Sequence, residues 1–298
     1  MADSESDVLA LMERVWRTGS ERRDRTGVGT RALFGAMLRF DLSDGTVPLL
    51  TTKRIFWKSA VKELIWFLSG DTSIRPLVAE GVHIWTDWPL DRYRRETGEE
   101  IGRDAFEARI LEDDAFAARW GDLGPVYGKQ WRRWLGADGR VHDQMAVLVD
   151  SLRSNPGSRR HIFTGWNVGE LDSMALPPCH MTYQYFVDEG SNRLSGILYQ
   201  RSCDLGLGFP FNIFEHALLL RMLAQQTGRE PGEIVWMGAD VHLYLNHAHL
   251  VEEQLGRTPR PFPKMELHPA ADLFSYRLPD VSITGYDPHP HIAAPVAV

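Results

Sequence analysis

The stretch MTYQYFVDEGSNRLSGILYQRSCDLGLGFPFNIFEHALLLRMLAQQTG, residues 181–228, decides the fold class. Met181–Val187 and Leu194–Gln200 are two β-leaning runs separated by Asp-Glu-Gly-Ser-Asn, the pattern of a hairpin. Ile213–Thr227 follows as a strongly apolar helix that Gly228 can end. Upstream, Val8, Leu11, Met12, Val15 and Trp16 recur at helical spacing and Gly19 closes them. Arg31–Leu42 reads as a strand, Trp57–Leu68 as a buried helix ended by Gly70, Met145–Leu152 as a helix and His161–Trp166 as a strand. Downstream, Glu233–Val241, Lys264–His268 and Val281–Tyr286 are further short strands. Strands, helices and strands in blocks, without regular βαβ alternation, indicate an α+β fold with a large mixed or antiparallel sheet packed by helices.

The segment from about residue 91 to 120 is dense in charge and poor in large apolar residues. It reads as a polar helical insertion on the surface, too short and too polar for a core of its own. With no linker and no repeat, residues 1–298 form a single domain. The net charge is −7, from 33 basic and 40 acidic residues, which excludes a globally basic nucleic-acid coat, so no DNA partner is expected. Two cysteines, Cys179 and Cys203, exclude a disulfide framework and a four-cysteine zinc site. The amino-terminal segment has no basic-then-apolar leader, and no apolar run is long enough to span a bilayer. A cytoplasmic protein without membrane contact is expected.

Several residues have the chemistry of a site. Cys179 follows Leu-Pro-Pro and precedes His180, so a rigid turn presents it ahead of a strand. It is either a nucleophile, activated by nearby cations, or a small buried apolar residue. Arg25, Arg159-Arg160 and Arg201 lie in three separate segments. Singly each suits a surface ion pair; together, in an acidic protein, they suit one anionic ligand. Asn212 either caps the apolar helix or offers its amide to a ring edge. Glu63, among Val61, Leu64, Ile65, Phe67 and Leu68, is either on a solvated stripe or buried. His242, His247 and His249 lack zinc-binding spacing, so no metal is expected, and Gly206-Leu207-Gly208 lacks the third glycine of a dinucleotide loop.

Taken in order, these segments resemble the thymidylate synthases across nearly the whole chain. The resemblance rests on Asp24-Arg25-Thr26-Gly27, Thr51-Thr52-Lys53-Arg54, Gly124-Pro125-Val126-Tyr127-Gly128 with Gln130-Trp131, Ser158-Arg159-Arg160 and Trp166-Asn167. It continues through Pro177-Pro178-Cys179-His180, Tyr199-Gln200-Arg201-Ser202-Cys203-Asp204, Pro210-Phe211-Asn212, Asp240-Val241-His242-Leu243-Tyr244 and the ending Ala294-Pro295-Val296-Ala297-Val298.

The resemblance implies reductive methylation of deoxyuridylate by 5,10-methylenetetrahydrofolate, with small-molecule nucleotide and folate as its only ligands. It implies Cys179 as nucleophile on C6, with Glu63, Tyr127, His180 and Arg201 as the other catalytic residues. Arg25, Arg159, Arg160, Arg201, Ser202, Asp204, Asn212, His242 and Tyr244 would bind the nucleotide. Phe56, Trp85, Trp88, Asp204, Gly208 and Ala297 would bind the folate. Arg159 and Arg160 would reach the phosphate of a neighbouring subunit, which implies a homodimer with a shared phosphate site and a sheet face as its interface. Two alternatives share the pattern: a pyrimidine-nucleotide hydroxymethylase, in which water replaces hydride, and a catalytically silent binder of nucleotide or RNA. Asn212 argues for uracil, and the joint presence of Cys179, Glu63, Arg201 and Asn212 argues for catalysis. The chain departs from the family pattern at Thr164-Gly165, Phe214-Glu215-His216, Ala293 and Phe56.

Overall fold

The computed structural model describes residues 3–23 and 27–296. Helix α1 (Glu5–Thr18) buries Val8, Leu11, Met12 and Val15 along one face. It is followed by strands β1 (Ser20–Arg22) and β2 (Thr30–Asp41). Six helices come next: α2 (Trp57–Ser69), α3 (Arg75–Ala79), α4 (Asp87–Thr97), α5 (Arg103–Glu112), α6 (Asp114–Trp120) and α7 (Tyr127–Arg132). A short hairpin, β3 (Trp134–Leu135) and β4 (Val141–His142), leads to helix α8 (Gln144–Ser154) and strand β5 (Ile162–Thr164). The hairpin strands expected from the sequence are β6 (His180–Asp188) and β7 (Arg193–Asp204), joined through helix α9 (Gly208–Gln226) to strand β8 (Glu230–Tyr244). Helix α10 (Ala248–Leu255) and strands β9 (Lys264–Leu267) and β10 (Val281–Thr284) complete the chain.

The chain divides into two compact units. The first comprises Met1–Val61, Leu148–Phe163 and Cys179–Ala297. Its centre is a six-stranded sheet in the order β1-β2-β8-β7-β6-β5. The β1–β2, β2–β8 and β6–β7 pairs are antiparallel, and β7–β8 is parallel. A parallel pair needs a crossover, and α9 supplies it. This helix has almost no polar stripe: Ile213, Phe214, Ala217, Leu218, Leu220, Met222 and Leu223 are all fully buried. Each such large apolar side chain contributes about 2 kcal/mol by leaving water. One face of the sheet packs on α9, with Phe209 edge-on to Trp236 at 5.0 Å. Met37 pairs with Met237, and Met237 with Tyr199, on an outer row. These three and Ile197 and Phe186 remain 37–66% exposed.

The second unit comprises Lys62–Val147 and Thr164–Pro178. Here the insertion differs from the sequence expectation, because it has an aromatic core of its own. Tyr93 meets Trp120 edge-on at 5.0 Å, Phe106 meets Phe116 at 5.4 Å, and all four rings are buried. Its charged residues cover these few large rings, among them Arg109, whose guanidinium lies 3.9 Å over Phe116.

Helix α9 also starts earlier than expected. Gly208-Phe209-Pro210 forms its first turn, where proline costs no hydrogen bond, so Asn212 stands inside the helix and does not cap it.

Candidate active site

In the first unit, strand pairing builds a cluster around Cys179. His180 opens β6 opposite Gln200 of β7. One residue out, the Arg201 backbone N–H donates to the Cys179 carbonyl at 3.0 Å. This register brings the Arg201 guanidinium to 3.9 Å from the Cys179 Sγ. A cation at that distance favours a thiolate. Cys203, by contrast, is fully buried, and burial pushes its thiol well above the ordinary range.

Behind Cys179 runs a relay of side-chain amides. The Trp236 indole donates to Gln200 Oε1 at 2.7 Å, and Gln200 Nε2 donates to Asn212 Oδ1 at 2.8 Å. An indole can only donate, so it fixes which end of the buried Gln200 amide faces it, and thereby the orientation of Asn212. Asn212 also hydrogen-bonds His180. Burial holds the His180 imidazole down at about 4, against the opposing pull of the Asn212 bond, so it is neutral at pH 7.

The neighbouring ends of β7 and β8 hold the polar residues. Ser202 pairs with Asp240 and Asp204 with His242. The His242 Nδ1 lies 3.0 Å from the Asp240 carboxylate, which Arg22 also bonds. The His242 bond, with the nearby charges, holds Asp240 below the usual carboxylate range against the cost of burial. Tyr244 stands edge-on to His242 at 5.4 Å. Gly208 is the first residue of α9. Phe56 is half-exposed, with its ring 5.1 Å from that of His291. Arg159 and Arg160 are exposed on the turn before β5. Arg25 and Ala297 lie outside the described residues.

The cluster includes a residue that the sequence reading treated only as part of a motif. Lys53 is 2% exposed, and its ammonium bonds the Gly206 carbonyl in the turn after Asp204. Burial lowers it to about 8, although Asp204 pulls the other way. A lysine between the apolar pairs Leu49-Leu50 and Ile55-Phe56 is the available signal.

In the second unit, Glu63 is buried, which settles the choice left open by its apolar neighbours. The Trp85 indole donates to Glu63 Oε1 at 2.6 Å. Trp85 also contacts Trp88 at 5.2 Å and Tyr127 at 5.8 Å, and Tyr127 stacks on Phe67 at 4.7 Å. Trp88 Nε1 is buried and has no hydrogen-bond partner among the described residues. No group of three or more metal-binding side chains occurs among the described residues.

A family model described as thymidylate synthase matches residues 7–298. The chain belongs to the thymidylate synthase family. A thymidylate synthase of Rhizorhabdus wittichii is 69% identical over 99% of this chain and 98% of its own length. One of Cereibacter sphaeroides is 62% identical with both chains fully covered, and one of Zymomonas mobilis is 57% identical over 99% of this chain and all of its own. The segments that carry the resemblance fall in both units: those around Cys179, Arg201 and Asn212 in the first, and those around Tyr127 and Asn167 in the second.

Proposed function

We infer that the protein methylates deoxyuridylate at C5, taking the carbon and the hydride from 5,10-methylenetetrahydrofolate and releasing thymidylate and dihydrofolate. The observation that carries this is the Cys179 thiol, bonded by Arg201 at 3.9 Å and standing at the head of the strand that aligns His180 with Asn212. Adding the thiolate to C6 of the uracil ring makes C5 a carbon nucleophile. Loss of the C5 proton and expulsion of Cys179 later restore the ring. Arg201 both favours the thiolate and, with Arg25, binds the phosphate. Asn212 reads the uracil edge, and the polarity fixed by Trp236 and Gln200 holds its amide in one orientation. Ser202, Asp204, His242 and Tyr244 bind the rest of the nucleotide. Glu63, Tyr127 and neutral His180 move the protons.

The folate supplies a one-carbon unit and two electrons when bound. The residues present suit such a ligand. Trp85 and Trp88 offer flat faces, and the unpartnered Trp88 indole offers a donor to a heteroaromatic ring. Asp204 offers an acceptor, and Phe56, Gly208 and Ala297 complete the group. A dry site matters because hydride must reach the carbon before water does.

Residues 1–298 act as one catalytic domain in this reading, since the family match runs through both units. The protein is a homodimer with Arg159 and Arg160 serving the phosphate of the neighbouring subunit. The apolar row of Met37, Met237, Tyr199, Ile197 and Phe186 supports that assembly, being a large exposed apolar face beside those exposed arginines. No helix among the described residues is long and apolar enough to cross a membrane, and both cysteines are free, which supports a cytoplasmic location.

The test is incubation with deoxyuridylate and methylenetetrahydrofolate, following dihydrofolate by absorbance and the nucleotide by mass. Thymidylate with one dihydrofolate per turnover is expected. A hydroxymethyl product without dihydrofolate would overturn the reading.

A further inference from the structure

The second unit contains a carboxylate outside the residues assigned above whose bonds converge on the turn carrying Tyr127. Glu170 accepts from Lys129 Nζ at 2.7 and 2.8 Å, from Gln130 Nε2 at 2.7 Å and from Asn167 Nδ2 at 2.9 Å. Gln130 is fully buried. Its Nε2 also donates to the Pro125 carbonyl at 2.8 Å, and its Oε1 accepts from Asn167 at 3.1 Å. The carboxylate therefore ties the 129–130 end of the segment to the turn at 167–170, and the same Gln130 amide carries that tie on to Pro125. Burial opposes ionisation of Glu170, but the bonds from Lys129 and Gln130, the lysine charge and Asn167 outweigh it and hold the carboxyl below its usual range.

Tyr127 is the first residue of α7, between Pro125 and the two donors. Its ring is stacked on Phe67 and edge-on to Trp85, the residue that donates to Glu63. The backbone there has little freedom to adjust by another route. A Cβ on Gly128 would stand 2.5 Å from the Phe67 carbonyl oxygen, so α7 is pressed against α2. Any shift of the first turn of α7 thus moves the Tyr127 hydroxyl relative to Trp85 and Glu63.

We propose that Glu170 is a positioning residue for Tyr127: by bonding Lys129, Gln130 and Asn167 at once, it holds the first turn of α7 where the tyrosine serves proton transfer. The inference rests on the proposed methylation and on the part given there to Tyr127. A purely structural ion pair would need only Lys129. Here two neutral amides are also committed, and one of them ties the carboxylate to the Pro125 carbonyl just ahead of the tyrosine.

The test compares the full-length wild type with E170Q, Y127F and the double variant, measuring kcat and KM for deoxyuridylate together with the melting temperature. Glutamine keeps the shape but loses the charge and one acceptor. A small misplacement of a catalytic group costs up to about 100-fold, so E170Q is expected to lower kcat about 5–20-fold with KM within about twofold. In the Y127F background the same change should cost less than about twofold, because the group being positioned is gone. An unchanged kcat in E170Q, or an equal loss in both backgrounds, overturns the proposal. If E170Q does not fold, K129M removes the cation from the other side, and the same comparison with Y127F decides. An inactive wild type would overturn the methylation reading itself, whereas an active wild type with a fully active E170Q overturns this inference alone.

Discussion

The two halves of the candidate machinery are held in place by different means. Around Cys179 the positions come from strand register: β6 against β7, and β7 against β8, place Arg201, Asp204 and His242 through backbone bonds. Around Glu63, among the described residues, there is no sheet beyond the short β3–β4 hairpin. Short helices and turns are fixed there by side chains, by the Trp85–Glu63 bond, by stacked rings and by the Glu170 hub. Backbone ladders hold a side chain in place even when a neighbour is altered. A side-chain network transmits each alteration to its members. Substitutions at the ladder-held residues of the first cluster should therefore act locally, and those in the second should spread.

The largest effect expected is from Cys179→Ser. Loss of the thiolate should cut turnover by at least about a thousandfold while the melting temperature stays within about 2 °C, since no ladder bond is lost. A serine variant retaining a tenth of the activity would end the covalent route. Next is Glu63→Gln, which preserves the acceptor for Trp85 and removes the acid. Activity should fall about 100-fold, the range of a lost proton-transfer group, with KM little changed. A loss confined to KM would make Glu63 a binding residue and weaken the contrast between the halves.

A smaller effect concerns pH. His180 and His216 are both fully buried, and burial lowers them to about 4 and about 3. The unfolded chain takes up their protons near pH 6.5, the folded chain only below those values. Their contribution to stability is therefore complete above pH 6.5 and is lost as pH falls towards 4 and 3. At pH 5 each costs on the order of 2 kcal/mol. Urea unfolding at pH 7 and pH 5 measures the difference, and His216→Gln should roughly halve it. A variant with the same pH slope as the wild type would show that other groups control acid unfolding.

The smallest effect sharpens the account of the second unit. A Cβ on Gly165 would lie 3.3 Å from the Pro178 ring, tighter than ordinary contact. Gly165→Ala should cost about 1 kcal/mol by crowding that ring. Because Pro178 precedes Cys179, the proposed nucleophile, kcat should fall slightly more than stability alone explains. Thermal melting alongside kcat checks this, and an alanine variant as stable as the wild type would mean that the loop yields freely.

Much of the first unit was legible in the sequence because its signals are local. The alternation in Met181–Val187 and the unbroken apolar run to Gly228 each announce one element. The sequence alone points to a start five residues too late for α9, because Asn212 suits a cap, whereas Pro210 stands in the first turn. The second unit was less legible. Helix α7 is six residues long and contains Gly128, a poor helix former that only the nearby Phe67 carbonyl explains. The Trp85–Glu63 bond joins residues 22 apart with no spacing rule between them. The core of the insertion was hidden because four rings spread through a charged segment have no single period. Most candidate site residues follow from the many motifs in order, whereas the parts of Gln200 and Trp236 follow only from the Trp236–Gln200 and Gln200–Asn212 bonds.

The unequal surroundings of the two cysteines have a practical consequence. Cys203 is sealed in the core with its thiol held protonated, while Cys179 is partly exposed beside a guanidinium. An alkylating reagent that attacks thiolates will therefore distinguish them in the native protein. With Cys179 as the proposed nucleophile, uptake of one equivalent per chain counts competent centres, and a second equivalent appears only as molecules open. The same reagent thus serves as both a titrant of function and a clock for unfolding.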